Sequence, residues 1–155
     1  MRPITVRQGV SSDLGALALL FDQYRQFQGQ GPDLAAARRF LQARLDRGES
    51  VVFIAHEEDT PVGFAQLYPG FSSVALARVF ILNDLFVQAF GRRKGVAARL
   101  LAAVETYAWA QGAARVTLNV DKGNAQGQAL YDAQGWSRDA QFQMYHRYPD
   151  SCHAA

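Results

Sequence analysis

The chain is poor in the residues that would staple it or carry it into a membrane. One of its 155 residues is cysteine, Cys152, which excludes an internal disulfide and a Cys-based zinc site and fits a reducing compartment. His56, His146 and His153 show no metal-ligand spacing, so no metal is expected and the three read as surface or strand residues. The longest apolar run, residues 14–21, is far too short to cross a bilayer. The first eight residues carry no apolar block of a secretion signal, and a cytoplasmic protein is the expectation. Charge is scarce too. A formal net charge of +2 gives no global reason to bind nucleic acid or an anionic membrane.

What is present is enough for one real core: 49% of the residues are apolar, the ordinary share for a globular domain. Residues 4–7 alternate as a first strand, and Ser11-Ser12-Asp13 opens a helix. Leu14, Leu17, Phe21, Tyr24 and Phe27 mark its apolar face. Residues 29–32 break that helix and Asp33 caps a second, with Leu34, Ala37, Leu41 and Leu45 as its stripe. Residues 51–55 and 62–68 read as a hairpin around the charged turn Glu57-Glu58-Asp59, which reads as solvated. Residues 69–73 read as a loop, and 79–87 as a long strand broken by the polar pair Asn83-Asp84. A third helix runs from Val96 to near Gly112, with Trp109 packing. A strand at 115–120 comes next, then a short helix at 124–134. Residues 142–148 alternate as a last strand, with room for one more near 136–138. Helices and strands interleave without a break in composition. The expectation is one mixed α/β domain over residues 1–149 and a short tail at 150–155.

Chemistry concentrates where strand 79–87 runs into Arg92-Arg93-Lys94-Gly95 and then a helix. A helix N-terminus offers unpaired N–H groups and the positive end of its dipole, which suits a phosphate. Basic side chains add charge and a glycine admits close approach. The turn has neither the spacing of a nucleotide P-loop nor that of a dinucleotide fingerprint. The same basic turn raises nucleic-acid binding as another reading, which the near-neutral charge and the lack of a spread basic face oppose. Downstream, Asn124, Leu130-Tyr131 and Gly135-Trp136, taken alone, read as a helix capped by Asn124 with Leu130 and Tyr131 in the core.

Together these segments resemble the GNAT superfamily of N-acetyltransferases: Leu85-Phe86-Val87, Arg92-x-x-Gly95-x-Ala97, then Asn124 seven residues before Tyr131, then Gly135-Trp136. Locally, Pro61-Val62-Gly63-Phe64-Ala65 and residues 82–87 look like the diamine (spermidine/spermine) acetyltransferases. The resemblance implies an α/β fold whose mostly antiparallel sheet splays between strands near 81–87 and 115–120, with about four flanking helices. It implies acetyl-CoA as cosubstrate. The pantetheine would lie along Leu85, Phe86 and Val87, and the pyrophosphate on the turn Arg92, Arg93, Lys94, Gly95, Val96, Ala97 and Ala98. Asn124 and Gly127 would meet the pantetheine arm, and Tyr131 would protonate the CoA thiolate. It places Tyr24, Phe27 and Asn83 toward the acceptor, although the helical stripe reads Phe27 as core. The diamine enzymes carry glutamate and aspartate where this chain has Asn83-Asp84, which leaves Asp84 as the candidate base and a structural carboxylate as its equal. The implied activity is acetyl transfer to a primary amine of a small molecule or peptide, by direct attack in a ternary complex. A non-catalytic acyl-CoA-binding module on the same fold is the other reading. Pairing of the last strand would give a homodimer.

Overall fold

The computed structural model describes residues 2–150, so the expectations on Cys152, His153 and the tail from 151 lie outside the described residues. The chain forms two compact units that divide between Asp121 and Lys122.

The first unit is a five-stranded sheet in the order β1-β2-β3-β4-β5, with three helices. Its strands are β1 (Ile4–Gln8), β2 (Val51–Glu57), β3 (Thr60–Ser72), β4 (Ala77–Val87) and β5 (Val116–Leu118). The first four pair antiparallel, and β5 runs parallel to β4. Helices α1 (Leu14–Phe27) and α2 (Leu34–Asp46) come after β1, and α3 (Val96–Ala110) joins β4 to β5.

Local chemistry sets the helix starts. The Asp13 carboxylate accepts two bonds from Arg7, at 2.7 and 2.8 Å, and one from the Val10 N–H. Arg7 holds the Asp13 carboxyl down at about 2. Asp33 caps α2 by accepting from the Ala36 N–H. Period-2 alternation on the sheet then divides the core. Leu14, Leu17, Leu20 and Phe21 of α1, with Ala37 and Leu41 of α2, bury against Val52, Ile54, Phe64 and Phe86. The other face packs on α3, where Val96, Leu100, Leu101 and Val104 are buried and Tyr107 meets the rings of Phe53 and Phe80. Each such large side chain contributes about 1.5–3 kcal/mol on burial.

One irregularity in the ladder decides where Asp84 points. Gln66 pairs with Asp84 but Leu67 pairs with Leu82, so Asn83 is the extra residue of a β-bulge. Phe80 lies on the α3 face, whereas Phe86 packs on Tyr24 of α1. The inserted residue therefore moves even-numbered side chains from one face to the other, and Asp84 arrives under α1.

Several expectations change. Residues 69–72 are strand, not loop, because the ladder continues through Pro69↔Phe80 to Ser72↔Ala77. Arg78 also lies 4.3 Å over the Phe71 ring. Phe27 is not core: it is 64% exposed, standing at the last residue of α1. Leu34 and Trp109 are likewise exposed. Glu57 is not part of a free solvated turn. It ends β2, and its carboxylate binds Lys94 at 2.8 Å.

The second unit carries α4 (Ala125–Ala133). Asn124 caps it, its side chain accepting from the Gly127 N–H at 2.9 Å. The rings of Tyr131 and Trp136 stand 6.1 Å apart. Residues 136–138 and 142–148 form no strand. Their alternation is present, but a strand also needs a paired backbone, and no ladder includes them. Phe142, Met144 and Tyr145 are exposed. Among the described residues no helix is long and apolar enough to cross a membrane.

Candidate active site

Beyond Leu82 the β4 strand has, among the described residues, a neighbour on one side only. Its ladder with β5 covers Phe80, Ile81 and Leu82 and stops, while β3 continues to pair as far as Val87. Leu85, Phe86 and Val87 thus lie along a strand edge that no other strand of the unit fills. Gly63 across the ladder keeps β3 close, since a Cβ there would meet the Phe86 carbonyl oxygen at 2.8 Å.

The chain then turns through a short 3-10 segment, Ala89–Gly91, into the basic turn. The three cations there differ in use. Arg92 donates from Nε to the Val87 carbonyl at 3.0 Å and lies 5.5 Å over the Phe27 ring, so it shapes the end of β4. Lys94 is paired with Glu57. Arg93 is exposed in the turn and holds φ +62°. Gly95 is the N-cap of α3 at φ +76°, and no side chain caps that turn. Val96 is buried in the core, and Ala97 and Ala98 complete the first turn. The uncapped first turn and the positive end of the α3 dipole favour an anion immediately after the open edge of β4.

On the α1 face of the bulge lies a buried polar cluster. Asp84 is 5% exposed. Its Oδ2 accepts from Gln66 Nε2 at 2.7 Å and its Oδ1 from Asn83 Nδ2 at 3.1 Å. Tyr24 donates a third bond. Burial pushes the Asp84 carboxyl up, and the three donors pull against it. Tyr68 shares this face of β3; burial and the Asp84 charge raise its phenol to about 12, while Arg44 of α2 works the other way. Tyr24 also packs edge-on against Phe64 and Phe86.

The structure therefore brings Tyr24, Asn83 and Asp84 together and sets Phe27 beside Phe86 and Arg92. In the second unit Asn124 and Gly127 bond each other, and burial raises the Tyr131 phenol above its ordinary 10.0. Sequence reasoning missed Gln66 and Tyr68. The available signal was a lone amide in the apolar run Phe64-Ala65-Gln66-Leu67. An open cleft of about 440 Å³ lined by Val6, Phe53, Arg99 and Tyr107 lies on the α3 face, away from Asp84. Among the described residues no group of three His, Cys, Asp or Glu side chains is arranged to hold a metal ion.

Known proteins share this architecture. Residues 16–136 match the acetyltransferase (GNAT) family. An uncharacterised N-acetyltransferase of Bacillus subtilis, YhfO, is 46% identical over 142 residues, covering 92% of this chain and 95% of that protein. The crystal structure of a probable acetyltransferase is 38% identical, with a TM-score of 0.88 over 94% of this chain and 98% of the other. An aminoglycoside N-acetyltransferase solved in complex with CoA shares the fold at 22% identity and a TM-score of 0.79, over 95% of this chain and 96% of that one. The chain belongs to the GNAT family of acetyltransferases and is an N-acetyltransferase enzyme.

Proposed function

We propose that the protein transfers the acetyl group of acetyl-CoA to a primary amine of a small molecule or an exposed peptide, in a ternary complex. The observation that carries this is the open edge of β4 at Leu85, Phe86 and Val87 running directly into the uncapped N-terminus of α3. An extended pantetheine pairs with such an edge as an added strand would. Its pyrophosphate then meets the amides of Gly95, Val96, Ala97 and Ala98, with the exposed Arg93 beside them. The shared fold of a CoA-bound aminoglycoside acetyltransferase supports the same donor.

In the reaction the neutral amine attacks the thioester carbonyl. A C–N bond forms, the C–S bond breaks, and charge passes from the carbonyl oxygen to sulfur. A backbone N–H at Val87 stabilises the oxyanion, a kind of donor worth about 3–4 kcal/mol. Tyr131 gives its O–H proton to the thiolate, and Asp84 accepts the amine's proton through a water. An alkylamine near pKa 10 gives up about 4 kcal/mol to be neutral at pH 7, so an acceptor for that proton is needed. The local likeness to the diamine enzymes does not extend to a polycation substrate. Asn83 stands where they have glutamate, and the acids of α1 and α2 are few. One of them, Asp22, is spent accepting bonds from Gln26 and the Asp33 N–H.

The test is thiol release from acetyl-CoA against a chemically diverse panel of amines, with the acetylated product identified by mass. Release above the hydrolysis blank for a subset of primary amines is the expected result. CoA binding by calorimetry with no release across the panel would refute the transfer reading.

A further inference from the structure

Gln66 is an amide with no exposed surface in the middle of an apolar strand. Its Nε2 has one partner, the Asp84 carboxylate at 2.7 Å, a short distance of the kind that charge assistance gives. Its Oε1 is buried and meets no donor among the described residues. A buried amide whose carbonyl oxygen is left unbonded is unfavourable for folding, so the fold alone does not account for its presence. The bulge at Asn83 makes the contact, because it sets Asp84 directly opposite Gln66 and turns Asp84 to the α1 face, where Gln66 already points beside Phe64.

We infer that Gln66 is the positioning residue of Asp84, holding its carboxylate in the aimed, ionised form that can take the proton of the acceptor amine. This rests on the reading of Asp84 as base. The geometry separates Gln66 from the other groups that face Asp84. Asn83 lies next to it in the chain and bonds at the longer 3.1 Å from an exposed position. Tyr24 reaches it from α1, and its ring also packs on Phe64 and Phe86. Tyr68 on β3 feels the Asp84 charge, and Arg44 of α2 acts on Tyr68 rather than on Asp84. Gln66 alone is rooted in the neighbouring strand, fully buried, and aimed at Asp84 with its one bonded donor.

The experiment titrates the Asp84 carboxyl carbon by NMR in the full-length protein, with Asp84→Asn assigning the resonance. Gln66→Met keeps the length of the side chain and removes the donor. The midpoint is expected to move up by about 1 pH unit, the size of one lost charge-assisted bond. The acidic limb of kcat/KM should move with it, giving about tenfold lower activity below the limb and an unchanged KM for acetyl-CoA. Gln66→Glu keeps the shape and places a second carboxyl against the first, which should raise the midpoint further. It also serves where the Met variant does not fold. Wild-type midpoints in the variants that fold would overturn the inference. A moved midpoint with an unmoved activity limb would leave Gln66 holding Asp84 and remove Asp84 as the base.

Discussion

Burial raises the Asp84 carboxyl above its ordinary 3.8, while Gln66, Asn83 and Tyr24 all donate to its charged form. The sign of the balance decides what a substitution does. A raised folded pKa means the native state binds the proton more tightly than the unfolded chain. Ionising Asp84 therefore lowers stability as pH rises above about 4, and that loss is complete once pH passes the folded value. Above that value the native protein carries this loss in full. Asp84→Asn removes it, so thermal unfolding should show an unchanged or higher Tm. Over the same change kcat/KM is expected to fall about 10²–10⁴-fold, the usual contribution of a positioned base. A parallel loss of stability and activity would make Asp84 a structural carboxylate instead. The residue was legible beforehand because the family resemblance reaches Asn83-Asp84. Gln66 was not, because in a run of Phe, Ala and Leu one amide carries no periodic signal and its meaning lies in a partner eighteen positions away.

At the scale of elements, strong apolar periods were readable and pairings were not. The α1, α2 and α3 stripes and the Asp33 and Asn124 caps arise from local chemistry, and the helices start where those residues stand. The bulge was hidden because Asn83-Asp84 fits simple alternation broken by one polar pair; only the register with Gln66 and Leu67 shows the extra residue. Two glycines around the basic turn illustrate how position divides roles. A Cβ at Gly91 would stand 2.9 Å from the Val62 Cβ and 3.3 Å from a Val87 methyl, and neither strand side chain can swing away. Gly91→Ala should destabilise by about 1–3 kcal/mol in urea unfolding, as overpacking does. At Gly95 nothing lies within 4 Å, and only φ +76° resists a side chain. Gly95→Ala should lose about 1 kcal/mol through backbone strain. Its methyl would stand in the proposed phosphate seat, so KM for acetyl-CoA should rise about tenfold. Equal KM effects from the two variants would place the phosphate elsewhere.

At the scale of the whole molecule, the proposed base and the proposed acid belong to different units, Asp84 to the first and Tyr131 to the second. Strand-like alternation at 142–148 suggests one more strand, and no ladder includes those residues. The helix that carries Tyr131 was nonetheless visible, since Asn124 and Gly135 bracket it by cap chemistry. Burial raises the Tyr131 phenol above 10.0, so it keeps its proton throughout the range in which amines become nucleophilic. An acid of that kind predicts a specific profile. Activity should climb with pH as Asp84 and then the amine lose their protons, with no falling limb of a bell up to about pH 10. Tyr131→Phe preserves the ring beside Trp136, 6.1 Å away, and removes only the hydroxyl. It should lower kcat by about 10²–10³-fold and leave KM for acetyl-CoA nearly unchanged, because the lost proton transfer occurs in the transition state and not in the bound donor. Steady-state thiol release across pH measures both quantities in one series. A raised KM with unchanged kcat would make Tyr131 a wall of the donor site and assign the thiolate's proton to solvent.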